Sequence, residues 1–125
     1  MLQQRGHRTL IVGPIPELRQ AAADCLLRAQ IYRTPRDRCA ISRAAVDKRY
    51  REVTQTLQAV AAKFPNVRLI DAVAVFCDAE YCRPFDGDGL LYSDTNHLTE
   101  LGVEKLYRRY EGEFRWVFGG APPRH

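Results

Sequence analysis

Two short apolar runs constrain the fold of this chain more than any other feature. Residues 9–12 read Thr-Leu-Ile-Val, and residues 67–71 read Val-Arg-Leu-Ile-Asp; Gly13 and Asn66 mark turns beside them. Short runs rich in β-branched and aliphatic residues predict strands buried in a parallel sheet. A parallel pair requires a long crossover, which the segment between the two runs can supply. The pattern therefore favours an α/β fold.

Three segments carry helical periodicity. They span residues 17–30, 42–64 and 99–117, and in each of them apolar residues recur three or four positions apart. Ser42 is a candidate cap for the second helix, and Pro65 ends it. Its stripe is the most regular and is predicted to face the core. The stripe consists of Val46, Tyr50, Val53, Leu57, Val60 and Phe64.

The remaining segments complete the order strand, helix, helix, strand, loop, helix. Residues 72–76 are predicted to extend the second strand or to form a short helical turn. Residues 78–88 are predicted to be a loop, because Pro84, Gly87 and Gly89 interrupt any period. This order predicts a partial three-layer α/β sandwich of the doubly wound kind, and we treat residues 1–125 as one domain.

Composition excludes several classes of protein. Hydrophobic residues make up 46% and charged residues 27%, as in ordinary globular domains, and the net charge is +4. The basic residues are scattered rather than arranged in one stripe between aromatics, so no nucleic-acid partner is predicted. No stretch approaches the roughly 20 apolar residues of a membrane span, and residues 1–8 lack the apolar region of a signal peptide. Expressed as this chain alone, the protein is expected in the cytoplasm.

The chain has four cysteines, which allow three disulfide connectivities. We pair Cys77 with Cys82 and Cys25 with Cys39, because each pair is close in sequence. Two alternatives remain open. Four cysteines with His97 could hold zinc, although the spacing is not Cys-x-x-Cys. All four could also be free thiols, which a cytosolic setting would favour.

Asp94 and His97 lie three residues apart, between an apolar run at residues 90–92 and the helix that begins near Thr99. Imidazole titrates near neutral pH, so it can take a proton from a hydroxyl group and return it. A carboxylate bonded to the other ring nitrogen fixes the tautomer and stabilises the imidazolium. The spacing therefore predicts a catalytic pair. The alternative is that Asp94 caps the following turn and His97 is an ordinary surface residue.

The segment from Leu91 to Thr99 resembles the last motif of the SGNH (GDSL-like) hydrolase superfamily, Asp-x-x-His-Leu followed by Ser or Thr. More narrowly, the chain resembles the SGNH domain fused to membrane-bound acyltransferase-3 proteins. Three further features carry this likeness: the segment from Ile11 to Glu17, the cysteines before the motif, and Gly-Leu-Leu-Tyr at residues 89–92. The resemblance covers roughly residues 9–110. It implies the C-terminal half of a flavodoxin-like SGNH fold.

The resemblance also implies a function. His97 would act as general base and acid, and Asp94 as its orienter, in a Ser-His-Asp triad that transfers O-acyl groups to cell-surface polysaccharide. The implied partners are a glycan acceptor, an acyl donor and an upstream membrane acyltransferase domain. The implied location is the periplasmic or extracytoplasmic face of a membrane. No cofactor or metal is implied.

Two parts of the family's catalytic machinery are absent from the sequence. It contains no Gly-Asp-Ser for the nucleophile and no Gly-x-Asn for the oxyanion donors, and its two serines are Ser42 and Ser93. Ser93 lies too close to His97 in sequence to meet the imidazole easily. We therefore expect an inactive C-terminal fragment that, by itself, is partly unfolded, aggregated or bound to another polypeptide. The alternative is a non-catalytic α/β module that pairs through an exposed sheet edge.

Overall fold

The computed structural model describes residues 7–87 and 89–119, in which short strands alternate with helices. The elements are β1 (Thr9–Val12), α1 (Ala22–Tyr32), β2 (Ile41–Ser42), α2 (Arg43–Lys63), β3 (Val67–Ile70), α3 (Val73–Phe76), β4 (Tyr81–Cys82), β5 (Phe85–Asp86), β6 (Gly89–Leu90), α4 (Glu100–Arg109) and α5 (Glu111–Val117), with a 3₁₀ turn at Arg36–Cys39. The order confirms the predicted α/β class. The strands form three two-stranded sheets, β1–β3, β2–β4 and β5–β6.

The two apolar runs form the one parallel pair in the described part of the chain. In β1 and β3, Thr9 lies opposite Val67 and Val12 lies opposite Ile70. The N–H groups that flank this ladder, those of Thr9 and Gly13, donate to the second strand and its preceding turn. Alternate residues of β1 point their backbone groups the other way, where no described strand lies. Val12 is accordingly 45% exposed.

The main core lies between β3, the segment after β1, and α4. Its side chains come from loops as much as from regular elements, and the most buried aromatic is Tyr92, which packs edge to face on Phe76 with ring centroids 6.0 Å apart. The buried cluster is Leu18, Ala22, Ile70, Ala72, Phe76, Leu91, Tyr92 and Leu106. A smaller cluster of Val46, Val73 and Cys82 lies beside it.

The first helix begins later than the sequence predicts. Residues 17–21 are not helical, and α1 starts at Ala22 without a side-chain cap. The N–H of Leu18 donates to the carbonyl of Thr95 at 2.8 Å, so that tertiary contact holds the segment outside the helix. Residues 72–76 follow the second of the two predicted alternatives. They form the short helix α3, whose first N–H, that of Val73, donates to Asp71 Oδ1 at 3.0 Å.

The last predicted helix is divided at Tyr110, which leaves helical geometry with φ −124° and ψ 33°. The Tyr110 hydroxyl donates to the carbonyl of Asp71 at 2.9 Å, and this contact fixes the break. Helix α5 then returns towards the parallel sheet. There Trp116 lies beneath Arg68 of β3, 4.3 Å from guanidinium carbon to ring centroid, and its carbonyl accepts a bond from Arg8.

The stripe on α2 is fully buried only at its start. Ser42 caps the helix as predicted, because its hydroxyl accepts from the Ala45 N–H at 3.0 Å. Val46 is 3% exposed, but Val53 is 44% exposed and the later members of the stripe are half-buried. The prediction of a core-facing stripe is therefore confirmed at Val46 and wrong at Val53, and the other members are only partly buried. Two described parallel strands are too few to cover a helix of 21 residues.

Both predicted disulfides are confirmed. Cys25 and Cys39 join α1 to the 3₁₀ turn, with Cα atoms 5.8 Å apart, and Cys77 and Cys82 close a small ring, with Cα atoms 3.9 Å apart. The predicted loop at 78–88 contains β4 and β5, while Asp88 lies outside the described residues. None of the described helices combines the length and apolar character needed to cross a bilayer.

Candidate active site

The loop that carries Asp94 and His97 lies over the segment that follows β1. The Thr95 carbonyl accepts from the Leu18 N–H at 2.8 Å, and the buried Tyr92 hydroxyl donates to the Pro16 carbonyl at 2.6 Å. Both contacts are with residues just past the carboxyl end of β1. Open α/β sheets build their sites at this end of the strands. The structure therefore places the predicted pair where the fold class favours a site.

Short-range hydrogen bonds close the loop on itself. Tyr92 and Leu98 form an antiparallel bridge, and the Ser93 N–H donates to the His97 carbonyl at 2.8 Å. Thr99 then caps α4, because its hydroxyl accepts from the Gly102 N–H at 3.2 Å. The closed loop is thus held between a buried tyrosine and a capped helix.

Gly102 explains how closely α4 approaches the loop. A Cβ atom at this position would overlap the carbonyl oxygen of Leu91 and touch Leu98. Only glycine allows the first turn of α4 to pack directly on the backbone that leads into the motif.

Asp94 divides its two carboxylate oxygens between the backbone and the imidazole. Oδ1 accepts from the N–H groups of Asn96 and His97, each at 2.8 Å, which is the geometry of an Asx turn. Oδ2 lies 2.8 Å from His97 Nδ1. The two alternatives weighed from the sequence are therefore compatible, since the capping carboxylate also contacts the imidazole.

The electrostatics of the loop favour one tautomer of His97. The N–H of Asn96, and after it the side chain of His97, hold the pKa of Asp94 below its usual range. An ionised carboxylate only accepts hydrogen bonds, so in the neutral imidazole Nδ1 carries the proton and Nε2 keeps its lone pair. The His97 side chain is 72% exposed. Nε2 is thus the ring nitrogen available to an incoming hydroxyl group.

Neither serine of the chain contacts this imidazole. Ser42 caps α2, and the Ser93 hydroxyl donates to the His97 carbonyl at 3.3 Å rather than to the ring. The geometry agrees with the prediction that Ser93 is a poor nucleophile candidate, because a nucleophile must lie within hydrogen-bond reach of its base.

Sequence reasoning missed the role of Tyr92. From the sequence it is the last residue of an apolar run and of the Gly-Leu-Leu-Tyr segment, with no structural role. Its hydroxyl ties the loop to Pro16, and burial raises its pKa. The sequence did offer a signal, because Tyr92 ends an apolar run two residues before Asp94. A tyrosine buried there needs a hydrogen-bond partner for its hydroxyl group.

No metal centre is found among residues 7–87 and 89–119. No group of three or more His, Cys, Asp or Glu side chains is arranged there to hold an ion. The four cysteines are bonded in pairs, so the zinc arrangement weighed from the sequence is not formed, and neither is the free-thiol alternative. Disulfides of this kind are typical of oxidising compartments.

Comparison with known proteins places the chain in a family. Neither the curated proteins nor the solved structures contain a match to it. A protein-family model does match: the SGNH domain fused to AT3 domains, over residues 1–112. That range includes both strands of the parallel pair, both disulfides and the Asp94–His97 loop. The chain therefore belongs to the family of SGNH domains fused to AT3 domains.

Proposed function

We propose that this chain supplies the acid–base part of an SGNH acyltransferase site that acetylates cell-surface polysaccharide. One observation carries the proposal: the Nδ1 atom of His97 lies 2.8 Å from the carboxylate of Asp94 while the ring itself stays exposed. This is the arrangement that a hydroxyl nucleophile requires of its base and orienter.

In this proposal the reaction has two steps. Nε2 of His97 takes the proton of a serine hydroxyl, the serine oxygen bonds to the acyl carbon, and the donor leaves with that proton. A sugar hydroxyl then gives its proton to Nε2 and attacks the acyl-serine, and the serine oxygen leaves with the proton. Asp94 stabilises the imidazolium in both steps. The serine comes from a Gly-Asp-Ser segment, which this sequence lacks, so the chain alone should be inactive.

The family description and the disulfides support the proposed setting. An AT3 domain, the fusion partner named for the family, would deliver the acyl group. Two disulfides favour an oxidising compartment, so the site would act on the extracytoplasmic face of a membrane. The acceptor would be a glycan hydroxyl group.

The experiment is complementation of the missing serine. The chain is co-expressed with the Gly-Asp-Ser half of another SGNH domain from the family, and acetyl transfer to polysaccharide is measured. We expect activity that His97→Ala abolishes and that Asn96→Ala preserves, because Asn96 contributes only its backbone N–H to the turn. Without the second half, hydrolysis of p-nitrophenyl acetate should not exceed that of His97→Ala. Labelling of Ser93 by a fluorophosphonate, with turnover that depends on His97, would refute the proposed source of the nucleophile.

A second candidate function is pairing with another chain through the outer edge of β1. It is favoured by the two-stranded parallel sheet and by the 45% exposure of Val12. In this case the isolated chain should associate or open locally, and the amides of Leu10 and Val12 should be unprotected in the monomer. A compact monomer with a cooperative melt and protected amides there would exclude this function.

A further inference from the structure

A polar-rimmed pocket of about 240 Å³ lies between α1 and the 3₁₀ turn, away from Asp94 and His97. Its floor is buried and consists of Ala29 and the Cys25–Cys39 disulfide. Its rim is exposed and polar, and Tyr32 at 74% exposure presents an aromatic ring to solvent. The rim side chains are Gln20, Arg28, Tyr32 and Arg38.

The disulfide fixes the two backbone segments that carry the arginines. Arg28 follows Cys25 by one helical turn, and Arg38 directly precedes Cys39. The joined Cα atoms are 5.8 Å apart, so neither segment can move away while the bond is intact. The Thr34 N–H also donates to the Ala29 carbonyl at 2.9 Å, which turns the chain back over α1. The backbone that carries the rim is therefore preorganised.

The segment that carries the pocket is positively charged. Five arginines and two aspartates lie between residues 19 and 38, a net charge of +3 in a chain whose total is +4. Of the two aspartates, Asp37 is bound to Arg83 at 3.2 Å. Neither Arg28 nor Arg38 forms an ion pair within the described residues. Their charge is available to an anion from outside.

The pocket is connected to the candidate active site by a short stretch of backbone. Gln20 on the rim is two residues from Leu18, whose N–H donates to the Thr95 carbonyl inside the Asp94–His97 loop. Two residues span at most about 7 Å. This stretch of backbone leads from the rim of the pocket to the Asp94–His97 loop.

We propose that this pocket binds a carboxylate-bearing sugar of the acceptor polysaccharide. The naming of the acceptor rests on the function proposed above. The guanidinium groups of Arg28 and Arg38 bind the carboxylate, since arginine matches its planar geometry. Tyr32 packs against the apolar face of the sugar ring, and Gln20 binds hydroxyl groups. The pocket selects an acidic acceptor.

The test is calorimetric binding to the full, oxidised chain. Trigalacturonic acid should bind and neutral maltotriose should not. Arg28→Gln with Arg38→Gln should raise the Kd about tenfold or more, and Tyr32→Ala should weaken binding without changing its salt dependence. The matched control is Lys48→Gln with Arg51→Gln, which removes the same charge from α2 and should leave the Kd unchanged. Circular dichroism verifies that each variant is folded.

Two further measurements separate this proposal from the acyltransferase function. Binding of trigalacturonic acid is measured without an acyl donor or a Gly-Asp-Ser half, so binding can hold even if the catalytic proposal fails. Cys25→Ala with Cys39→Ala should weaken binding, because the two arginines lose their fixed spacing. Equal binding of both sugars, an equal loss in the α2 control, or binding to phosphatidylglycerol vesicles in place of trigalacturonic acid would overturn the proposal.

Discussion

Two loops of this molecule are built on the same turn and differ in what the turn holds. Asp78 Oδ1 accepts from the N–H groups of Glu80 and Tyr81 at 2.8 and 2.7 Å. Asp94 Oδ1 accepts from the N–H groups two and three residues ahead in the same way. In each loop one oxygen of the aspartate organises the backbone and leaves the other oxygen for a second partner.

The two loops differ in the group that pairs with the second oxygen of the aspartate. In the first loop, Asp78 Oδ2 pairs with Arg83, which also binds Asp37, and the disulfide Cys77–Cys82 closes the ring. In the second loop, Oδ2 holds the imidazole of His97, and only hydrogen bonds close it. The guanidinium never gives up its proton, whereas imidazole exchanges one near neutral pH. The turn therefore orders both loops, and only the loop whose aspartate orients an imidazole is a candidate site.

The largest expected difference between the two loops is in acyl transfer by the chain complemented with a Gly-Asp-Ser half. Each aspartate is converted to asparagine in turn. Asp94→Asn keeps an oxygen for the turn but presents an amide to Nδ1, which favours the wrong tautomer of His97. We expect acyl transfer to fall about 10⁴-fold, with the fold preserved. Asp78→Asn should leave transfer unchanged. The measurements are transfer rates and the ring-nitrogen NMR shifts that report the tautomer; equal losses in both variants would erase the distinction between the loops.

Removing the disulfides should affect stability in proportion to the loops they close. Cys25→Ala with Cys39→Ala opens a sequence separation of 14 residues and should cost about 3 kcal/mol. Cys77→Ala with Cys82→Ala opens a separation of 5 and should cost about 2 kcal/mol. The measurement is urea unfolding of each variant against the oxidised chain. A larger loss at the small ring would mean that the ring supports the core more than the chain-entropy account allows.

Acid should act on the first loop more than on the second. The N–H of Tyr81, then that of Glu80, and then Arg83 lower the pKa of Asp78 to about 2, against about 3.9 in an unfolded chain. Between these values the unfolded state binds more protons, so stability is lost as the pH falls from about 4 towards 2. Asp78→Asn should reduce this slope. Asp94→Asn should reduce it less, although the pKa of Asp94 is lowered in the same direction. Unfolding midpoints at several acidic pH values measure both slopes.

The smallest expected effect is that of Ser93→Ala. The backbone bond from Ser93 to His97 remains, and only an exposed side-chain bond at 3.3 Å is lost. Stability should change by less than about 0.5 kcal/mol, and transfer in the complemented enzyme should be unaffected. A loss of transfer comparable to that of His97→Ala would make Ser93 part of the reaction.

Sequence alone predicted the features that are set by local rules. The strands at 9–12 and 67–70, the cap at Ser42 and the Asp94–His97 contact each depend on neighbours a few residues away. The disulfide pairs were also predictable, because each pair is close in sequence. The candidate pair was predictable for the same reason: the four residues from Asp94 to His97 contain the turn and the carboxylate–imidazole contact.

The features that sequence did not predict depend on distant contacts. Helix α1 starts late because the Leu18 N–H is hydrogen-bonded to the Thr95 carbonyl. The last helix breaks because the Tyr110 hydroxyl is hydrogen-bonded to the Asp71 carbonyl. The exposure of Val53 depends on how many strands lie beneath α2, which periodicity does not report. Helical spacing identifies an apolar face, but it does not show which elements pack against that face.

The position of Trp116 gives the molecule a built-in spectroscopic reporter. It is the single tryptophan of the chain, and it lies beneath Arg68 of β3 while its carbonyl bonds to Arg8 before β1. Its fluorescence should therefore change when α5 separates from the parallel sheet. The Asp94–His97 loop carries only a tyrosine, Tyr92, as a nearby aromatic. Emission excited at the red edge of the absorption band should follow the sheet alone, so its unfolding can be timed apart from that of the loop.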